Sequence, residues 1–243
     1  MTGIGILGAN GRMGRAIADA AAGAGASIAG GVDRGGGQDA LAALAAASDV
    51  LVDFTAPEAL AAHLAAAVDA GTPIVIGTTG LTPAHHQAID TAAAVIPIVQ
   101  TANTSIGINL LGGLVEQAAR RLGQDWDIEI VEMHHRHKLD APSGTALLLG
   151  ASANKGRGAP STTELNRFDR SGKREEGGVY YASLRGGSVT GDHLVVFAGE
   201  GERIELGHRA ESRAIFARGA VEAAIWLHHQ QPGRYTMQDV LGL

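Results

Sequence analysis

Three histidines and a lysine lie close together in the segment His134-His135-Arg136-His137-Lys138. Imidazole titrates near neutral pH, so His134 is suited to act as a general acid. Lys138 supplies a fixed positive charge. The tripeptide Ser143-Gly144-Thr145 begins a predicted helix, where backbone N–H groups and hydroxyls favour an anion. These residues therefore predict a site for a carboxylate or phosphate substrate.

Two other interpretations of the same segment stay open. His134, His135 and His137 could serve as metal ligands, although their spacing differs from the helix-based spacings of zinc sites and the chain has no cysteine. The segment could also be a solvated polar loop, which is how we interpret the pairs His85-His86 and His228-His229. On balance the sequence predicts an anion site and no metal.

A second segment also suits an anion. It lies between a short apolar run and an alanine-rich stretch, and its sequence is Gly8-Ala9-Asn10-Gly11-Arg12-Met13-Gly14. Backbone N–H groups at such a helix start favour a phosphate, and glycine lets the backbone approach it closely. Asn10 occupies the place of the middle glycine in the usual dinucleotide pattern, and a tight turn without a ligand would show the same spacing. The position at the first predicted strand-to-helix turn favours a dinucleotide.

An acid and a base follow the second predicted strand, where dinucleotide-binding domains recognise the adenosine ribose. Asp33 stands 25 positions after Gly8, near the usual spacing of about 20, and Arg34 comes next. The carboxylate suits a 2′-hydroxyl and the guanidinium suits a 2′-phosphate, so NADH and NADPH are both compatible with the sequence. Gly77-Thr78-Thr79-Gly80 and Asn103 follow later strands, and each is either a ligand loop or a plain turn.

The elements that must position these residues alternate in the first hundred positions. Predicted strands are Ile4–Leu7, Ser27–Val32, Val50–Phe54, Pro73–Ile76 and Val95–Val99, and predicted helices are Arg15–Ala26, Asp39–Ala47, Glu58–Ala70 and Thr82–Ala94. Short apolar strands that alternate with helices of about 10–15 residues predict a doubly wound, Rossmann-like parallel sheet.

The second half of the chain has a different pattern. Its predicted elements are a helix at Ile106–Leu122, a strand at Asp127–Met133, a helix from Gly144, a loop at Lys155–Gly178, strands at Val179–Leu184, His193–Ala198 and Arg203–Leu206, and a last helix at Phe216–His228. Consecutive strands without helices between them predict a smaller α+β domain with an antiparallel or mixed sheet.

Composition excludes several classes of function. The net charge is −6 and aromatic residues make up 4% of the 243 residues, which argues against a nucleic-acid partner. No apolar stretch approaches the 18 residues of a transmembrane helix, and the absence of cysteine rules out disulfides and a thiol nucleophile. We expect a cytoplasmic protein that acts on a small molecule, with no membrane partner.

Together these motifs resemble the dihydrodipicolinate reductase family, over almost the whole chain. The matching pieces are the glycine segment from Gly8 to Gly14, Val52-Asp53-Phe54-Thr55, Gly77-Thr78-Thr79-Gly80, Asn103 through Asn109, Glu132 through Thr145, Arg185-Gly186-Gly187, Gly191 to Phe197, Gly201-Glu202-Arg203, Arg213, Phe216 to Ala220, and Asp239-Val240-Leu241. The histidine segment followed by Ala-Pro-Ser-Gly-Thr is the most specific of them. The chain departs from the family at Asn10, at Thr104 where many members have phenylalanine, and at Ala151–Glu176.

The resemblance implies an NAD(P)H-dependent oxidoreductase of lysine and diaminopimelate biosynthesis. Residues 1–104 with 216–243 would bind NADH or NADPH, and residues 105–215 would bind a dicarboxylate substrate and build a homotetramer. The implied reaction is reduction of 4-hydroxy-tetrahydrodipicolinate (dihydrodipicolinate) to tetrahydrodipicolinate by hydride transfer to ring C4. Another NAD(P)-dependent dicarboxylate or amino-acid dehydrogenase, or a non-catalytic dinucleotide sensor, remains the alternative.

The resemblance also implies roles for single residues. His134 matches the acid/base and Lys138 a proton donor, while His135, Gly144 and Thr145 match residues that hold the substrate carboxylates. The implied cofactor contacts are Gly8, Ala9, Asn10, Gly11, Arg12, Met13, Asp33, Arg34, Gly77, Thr78, Thr79, Thr101, Ala102, Asn103 and Thr104. No metal is expected.

Overall fold

The computed structural model describes residues 1–158, 164–166, 173, 174 and 176–243, and at 164–166 only the backbone. These residues form two compact units. The first comprises Met1–Ile106 with Ala214–Leu243, and the second comprises Gly107–Arg213. Among the described residues, no helix combines the length and hydropathy needed to span a bilayer.

Eleven strands and eight α-helices are assigned in the described parts of the chain. In order they are β1 (Thr2–Leu7), α1 (Arg12–Ala21), β2 (Ala26–Val32), α2 (Gly37–Ala47), β3 (Val50–Asp53), α3 (Leu60–Ala70), β4 (Ile74–Ile76), α4 (Pro83–Ala93), β5 (Pro97–Gln100), α5 (Ile106–Leu122), β6 (Asp127–His134), α6 (Gly144–Arg157), β7 (Glu164–Asn166), β8 (Val179–Arg185), β9 (Asp192–Gly199), β10 (Glu202–Arg209), α7 (Ala214–Leu227), β11 (Gly233–Tyr235) and α8 (Met237–Leu241).

The first unit is a doubly wound parallel sheet, as the sequence predicts. Its strand order is β11-β5-β4-β3-β1-β2, and every pair is parallel. Neighbouring strand residues face opposite cores: Val52 packs with α1 and α7, whereas Leu51 packs with α2, α3 and α4. Strands β1, β3, β4 and β5 are covered on both faces and are mainly apolar runs, whereas the edge strands β2 and β11 are partly exposed. All the carboxyl ends of the strands lie at one edge of the sheet, where ligands of such folds bind.

Helix α1 lies close against the turn that precedes it because residue 14 has no side chain. A Cβ atom on Gly14 would lie 2.3 Å from the carbonyl oxygen of Gly8 and 2.6 Å from that of Ala9. Both are backbone atoms that cannot rotate away. The close approach fixes the start of the helix relative to the glycine turn.

Replacing Gly14 by alanine is therefore expected to destabilise the protein. In an unhindered helix, alanine would be favoured over glycine by about 1 kcal/mol. The backbone overlap reverses that sign, and we expect a loss of about 1–3 kcal/mol in the free energy of unfolding, measured by urea denaturation. Gly23→Ala is the matched control, since no atom of the described residues lies within 4 Å of a Cβ there. Equal stability of the two variants would contradict this account.

The second unit carries a mixed sheet covered on one face by two helices. Within its described residues the strand order is β10-β9-β6-β8-β7, with β9 antiparallel to both neighbours and β8 parallel to β6 and β7. Its core joins α5 and α6 to the sheet through residues such as Val115, Leu149, Ile130 and Phe197. The α+β architecture with a mixed sheet is thus confirmed.

Two boundaries in the first unit differ from the prediction. The helix predicted at Arg15–Ala26 begins at Arg12 and ends at Ala21, because the chain turns at Gly25, whose φ of +74° lies in the left-handed region. Ala26 then opens β2. Val95 lies in the turn after α4 and is 56% exposed, so β5 begins two residues later at Pro97.

The prediction of a loop at Lys155–Gly178 is wrong at the start and in the middle of that stretch. Helix α6 continues to Arg157, because Gly156 packs against the backbone of Glu116 and Lys155 forms an ion pair with the same glutamate at 2.9 Å. Residues 164–166 form β7, and most of the remaining stretch lies outside the described residues. Strand β11 and helix α8 were not predicted, since three strand residues carry no recognisable alternation.

Candidate active site

The turn between β1 and α1 presents backbone N–H groups to an anion. Gly8 has a φ of +83°, and its N–H donates to Val32 at 2.7 Å, which sets the turn on the edge of the sheet. Gly11 is the N-cap residue of α1, and no side chain of the described residues caps this helix. Its first-turn N–H groups, at Arg12 and Met13, are therefore available to a pyrophosphate.

A cavity of about 520 Å³ adjoins this turn within the first unit. Its wall combines the predicted cofactor residues with apolar side chains, and includes Gly8, Gly11, Asp33, Arg34, Leu41, Phe54 and His63. A lining that mixes polar and apolar groups suits a nucleoside. The turn between β1 and α1 and this cavity together fit the adenosine and phosphate portion of a dinucleotide.

The Asp33 carboxylate is held by the glycine turn. The side-chain amide of Asn10 donates to Asp33 Oδ2 at 2.6 Å, and the backbone N–H of Asn10 lies 3.1 Å from each carboxylate oxygen. The structure thus brings together Asn10 and Asp33, two predicted cofactor residues 23 positions apart. Arg34, beside them in sequence, is exposed.

A buried aspartate that sequence reasoning did not select ties together three segments at the same edge. Asp53 Oδ1 accepts hydrogen bonds from the Thr55 backbone at 2.9 Å, the Thr55 hydroxyl at 2.6 Å and the Thr78 hydroxyl at 3.1 Å. Asp53 Oδ2 lies 2.8 Å from His63 Nδ1. Burial raises the pKa of Asp53, but the hydrogen bonds from His63 and Thr55 outweigh it and lower the pKa overall.

The loop after β4 packs tightly onto the loop after β3. The Gly77 N–H donates to the Asp53 carbonyl at 2.9 Å, and a Cβ on Gly77 would lie 2.3 Å from the Phe54 ring. Thr78 is buried and bonded to Asp53, and Thr79 follows it at the surface of the loop. A glycine is required here so that the backbone can lie against the aromatic ring.

The segment after β5 is fixed by its own polar side chains. The Thr101 hydroxyl donates to the Asn103 carbonyl at 2.9 Å and accepts from the Asn103 N–H at 3.1 Å. Ala102 is exposed between them. The Thr104 hydroxyl is buried and donates to the Phe216 carbonyl at 2.7 Å. Thr104 thus anchors the loop to α7, while Ala102 lies at its surface.

In the second unit, His134 ends β6 and is held by a buried ion pair. His134 Nδ1 lies 2.6 Å from Glu132 Oε2, and the Arg185 guanidinium binds both oxygens of Glu132 at 2.8 and 2.9 Å. Arg185 is the cross-strand partner of His134 on β8. The carboxylate accepts, so His134 donates from Nδ1 and its Nε2 is free to exchange a proton. Gly191 leaves room beside that nitrogen, since a Cβ there would lie 3.0 Å from it.

The start of α6 is tied to the same cluster by Ser143. The Ser143 hydroxyl accepts from the Ala146 N–H at 3.1 Å, as an N-cap, and lies 2.9 Å from His193 Nε2. The ring of His193 also meets the ring of His134 edge to face, 5.1 Å between centroids. Ser143 is buried, and its hydroxyl is already hydrogen-bonded to groups of the protein. Gly144 and Thr145 carry the first backbone N–H groups of the helix.

The loop after β6 is cationic. Lys138 forms an ion pair with Asp140 at 2.8 Å, and the Asp140 carboxylate is 62% exposed, so a second anion can compete for the lysine. A separate open cavity of about 720 Å³ is lined by His135, Arg136, His137, Gly187, Ser188 and Arg213. Two arginines and two histidines around one cavity suit a polyanionic ligand.

The titration of this cluster follows from burial and charge. Burial raises the pKa of Glu132, but hydrogen bonds from Arg185 and His134 outweigh burial and lower the pKa to about 2. Burial lowers the pKa of His134 against the opposing effect of Glu132. Burial and the neighbouring His134 lower the pKa of His193 to about 4. These shifts favour the neutral form of both imidazoles and the ionised form of Glu132.

Among the described residues, no group of three or more His, Cys, Asp or Glu side chains has an arrangement that could hold a metal ion. His134 and His135 diverge, since His134 Nδ1 is engaged by Glu132 and His135 lines the open cavity.

Two family models cover nearly the whole chain. The models of the amino and carboxyl termini of dihydrodipicolinate reductase match residues 2–104 and 107–241. The chain belongs to the dihydrodipicolinate reductase family. It is 58% identical over 246 residues to a 4-hydroxy-tetrahydrodipicolinate reductase of Zymomonas mobilis, with 99% of this chain and 97% of the relative covered. The reductase of Acidiphilium cryptum is 48% identical over 243 residues, with 99% and 97% covered.

Solved structures share the fold of this reductase family member. A dipicolinate-bound dihydrodipicolinate reductase from Paenisporosarcina sp. TG-14 superposes with a TM-score of 0.78 at 23% identity, covering 98% of both chains. A probable dehydrogenase from Thermotoga maritima superposes with a TM-score of 0.61 at 12% identity, covering 98% and 92%. As a reductase of this family the chain is an NAD(P)H-dependent oxidoreductase, and its amino-terminal segment is the dinucleotide-binding domain.

Several residues around the reductase site were given no role in the sequence analysis, although most of them lie in pieces that match the family. Glu132, Arg185 and His193 surround His134, and Asp53 with His63 supports the dinucleotide loops. The sequence did contain a signal for the first group. Glu132 and His134 lie two positions apart on a strand and therefore share one face. A charged residue on the buried face of a strand is unusual unless it is paired. Nothing in the sequence links either of them to β8 or β9.

Proposed function

We propose that the chain reduces 4-hydroxy-tetrahydrodipicolinate to tetrahydrodipicolinate with NADH or NADPH, as a cytoplasmic step of lysine and diaminopimelate biosynthesis. The observation that carries this proposal is His134, held by Glu132 and Arg185 at the start of a cationic loop. The names of the relatives support it, and so does the dipicolinate bound to the Paenisporosarcina reductase, since that ligand is a cyclic dicarboxylate.

His134 and Lys138 are the proton-handling residues in this proposal. Glu132 fixes the imidazole with its proton on Nδ1, so Nε2 is the atom that takes up and releases the catalytic proton. Burial lowers the pKa of His134. A dianionic substrate nearby would raise it again, so substrate binding would favour proton uptake at Nε2. Lys138 provides a second donor once the substrate displaces Asp140.

The substrate carboxylates need cationic or N–H-rich partners, and the second unit offers both. The first backbone N–H groups of α6, at Gly144 and Thr145, form one candidate site. His135 and the arginines of the open cavity form the other. Ser143 contributes by capping α6 and keeping those N–H groups in place, since its own hydroxyl is occupied.

The cofactor residues of the proposal are those at the carboxyl edge of the first unit. The glycine turn from Gly8 to Met13 would hold the pyrophosphate, and Asp33 with Arg34 the adenosine ribose. The loops at Gly77–Thr79 and Thr101–Thr104 lie at the same edge and complete the set. When bound, the reduced nicotinamide supplies the hydride that the resemblance assigns to ring C4. The role of these loops is to bind and orient it.

A coupled assay tests the proposed reaction. A synthase generates the substrate from pyruvate and aspartate semialdehyde, and the oxidation of NADH or NADPH is followed by absorbance. We expect oxidation that depends on the synthase. Folded protein that binds a dinucleotide but shows no synthase-dependent oxidation would favour another dicarboxylate dehydrogenase, or a sensor without catalytic activity.

We further propose that four copies assemble through the mixed sheet. The face of this sheet opposite α5 and α6 carries Val131, Met133, Leu184 and Leu194, and Leu184 is 51% exposed. We expect the wild type to elute as a tetramer, and Leu184→Asp to elute as a smaller species, because a carboxylate would have to be buried in the interface. Light scattering after gel filtration measures both, with Val95→Asp, exposed in the first unit, as the control. A tetramer that tolerates Leu184→Asp would place the interface elsewhere.

A further inference from the structure

We propose that Asn10 positions the Asp33 carboxylate and thereby makes the chain selective for NADH over NADPH. This inference rests on the proposed dinucleotide site of the first unit. It adds the class of dinucleotide that the site prefers and a residue that sets the preference.

The carboxylate of Asp33 has a fixed orientation and a neutral partner. Asn10 donates to it from the side-chain amide at 2.6 Å and from the backbone at 3.1 Å to both oxygens. The amide carries no charge, so the full negative charge of Asp33 remains to act on a ligand. A cationic partner would have cancelled that charge. Rotating the carboxylate away from the cavity would break these hydrogen bonds.

A ribose with a free 2′-hydroxyl is compatible with this arrangement. An ionised carboxylate has about four acceptor positions, and the contacts with Asn10 leave capacity on Oδ1. Ribose hydroxyls are donors, so they can bind the carboxylate directly. Because Asp33 is already oriented before the ligand arrives, little conformational entropy is lost on binding.

A 2′-phosphate is not compatible with it. Asp33 lines the cavity and would lose its hydrogen bonds to Asn10 on turning away, so a phosphate on the ribose would bring like charges together. Arg34 lines the same cavity and is the compensating cation, but it is exposed, and no hydrogen bond or ion pair with another described residue holds its side chain. An exposed, unrestrained arginine gains little from an ion pair. We therefore expect the hydrogen-bonded Asp33 carboxylate to affect a 2′-phosphate more than the exposed Arg34 guanidinium does.

The experiment measures binding by calorimetry on the full-length chain, without substrate, using NADH and NADPH. For the wild type we expect NADH to bind at least about 10-fold more tightly. Asn10→Ala removes the shortest hydrogen bond to Asp33. We expect the dissociation constant of NADPH divided by that of NADH to fall by about fivefold or more. In Asp33→Asn the charge is removed, and NADPH should bind more tightly than it does to the wild type. Gln87→Ala, on the exposed face of α4, is the control and should keep the wild-type ratio.

Two shorter probes locate the source of the preference. ADP-ribose and 2′-phospho-ADP-ribose lack the nicotinamide and should reproduce the wild-type ratio and its loss in Asn10→Ala. A general loss of structure would weaken both probes equally and leave the ratio unchanged. If Asn10→Ala does not fold, Asn10→Gly, which restores the glycine of the usual dinucleotide pattern, takes its place and should show the same fall in the ratio, while Asp33→Asn tests the charge.

The inference is overturned by equal or tighter binding of NADPH to the wild type, by an unchanged ratio in Asn10→Ala, or by probes that bind without discrimination. The outcome is separable from that of the proposed reaction, because no substrate is present. A chain that discriminates between the dinucleotides but fails the coupled assay would keep this inference and lose the proposed substrate.

Discussion

Replacing His134 by glutamine is expected to lower kcat by about 100-fold or more, the usual contribution of a general acid–base catalyst. Glutamine can still donate to Glu132, so the fold around the site should persist, but it cannot exchange a proton at the position of Nε2. The coupled assay measures kcat, and calorimetry with NADH measures dinucleotide affinity. The affinity should stay near the wild-type value, because the predicted dinucleotide residues belong to the first unit.

Lys138→Met should lower kcat by a similar factor, about 100-fold, if the lysine is a second donor. His229→Gln and Lys155→Met serve as matched controls. His229 is exposed at the end of α7, and Lys155 pairs with Glu116 on the helical side of the second unit. Unchanged kcat in both His134→Gln and Lys138→Met would remove the roles proposed for these residues. Equal losses in the controls would point to instability.

Glu132→Gln is expected to lower the free energy of unfolding at pH 7 by about 3 kcal/mol, because one partner of a buried ion pair is removed. Glu132 is fully buried, and Arg185 would be left without its carboxylate. Urea denaturation measures the difference.

The pH dependence distinguishes this mechanism from loss of packing. The folded-state pKa of Glu132 lies below its unfolded value, so its stabilisation is present above about pH 4.5 and is lost as the pH falls towards 2. The wild type should therefore lose more stability over that window than Glu132→Gln does. Glu202→Gln, at an exposed position, is the control and should follow the wild type. Parallel curves for wild type and Glu132→Gln would show that the charge is not the cause.

Much of the first unit could be predicted, because its determinants are local. Each strand is a short apolar run and each helix an alanine-rich stretch, so alternation alone indicated the doubly wound sheet. The prediction was wrong where contacts between distant elements determine whether a segment is a helix or a strand. Helix α6 continues past Lys155 because Glu116 of α5 supports it, and β11 exists because β5 offers it an edge.

The candidate site could be predicted only in part, because contacts between distant elements position several of its residues. His134, Lys138 and the start of α6 are neighbours in sequence, and the glycine turn has a recognisable spacing. Arg185 and His193 come from β8 and β9, and they reach the cluster because of the pairing register of those strands with β6. Register depends on the hydrophobic pattern of all three strands together, and no short motif encodes it.

The loops after β3 and β4 share one point of attachment, the buried carboxylate of Asp53. If either loop detached, the carboxylate would lose donors inside the protein, which is costly for an ionised group. The two loops should therefore open as one cooperative unit during local unfolding. Substitutions at Thr55 and Thr78 would then be non-additive, so sequence change in one loop constrains change in the other although these two threonines are 23 positions apart.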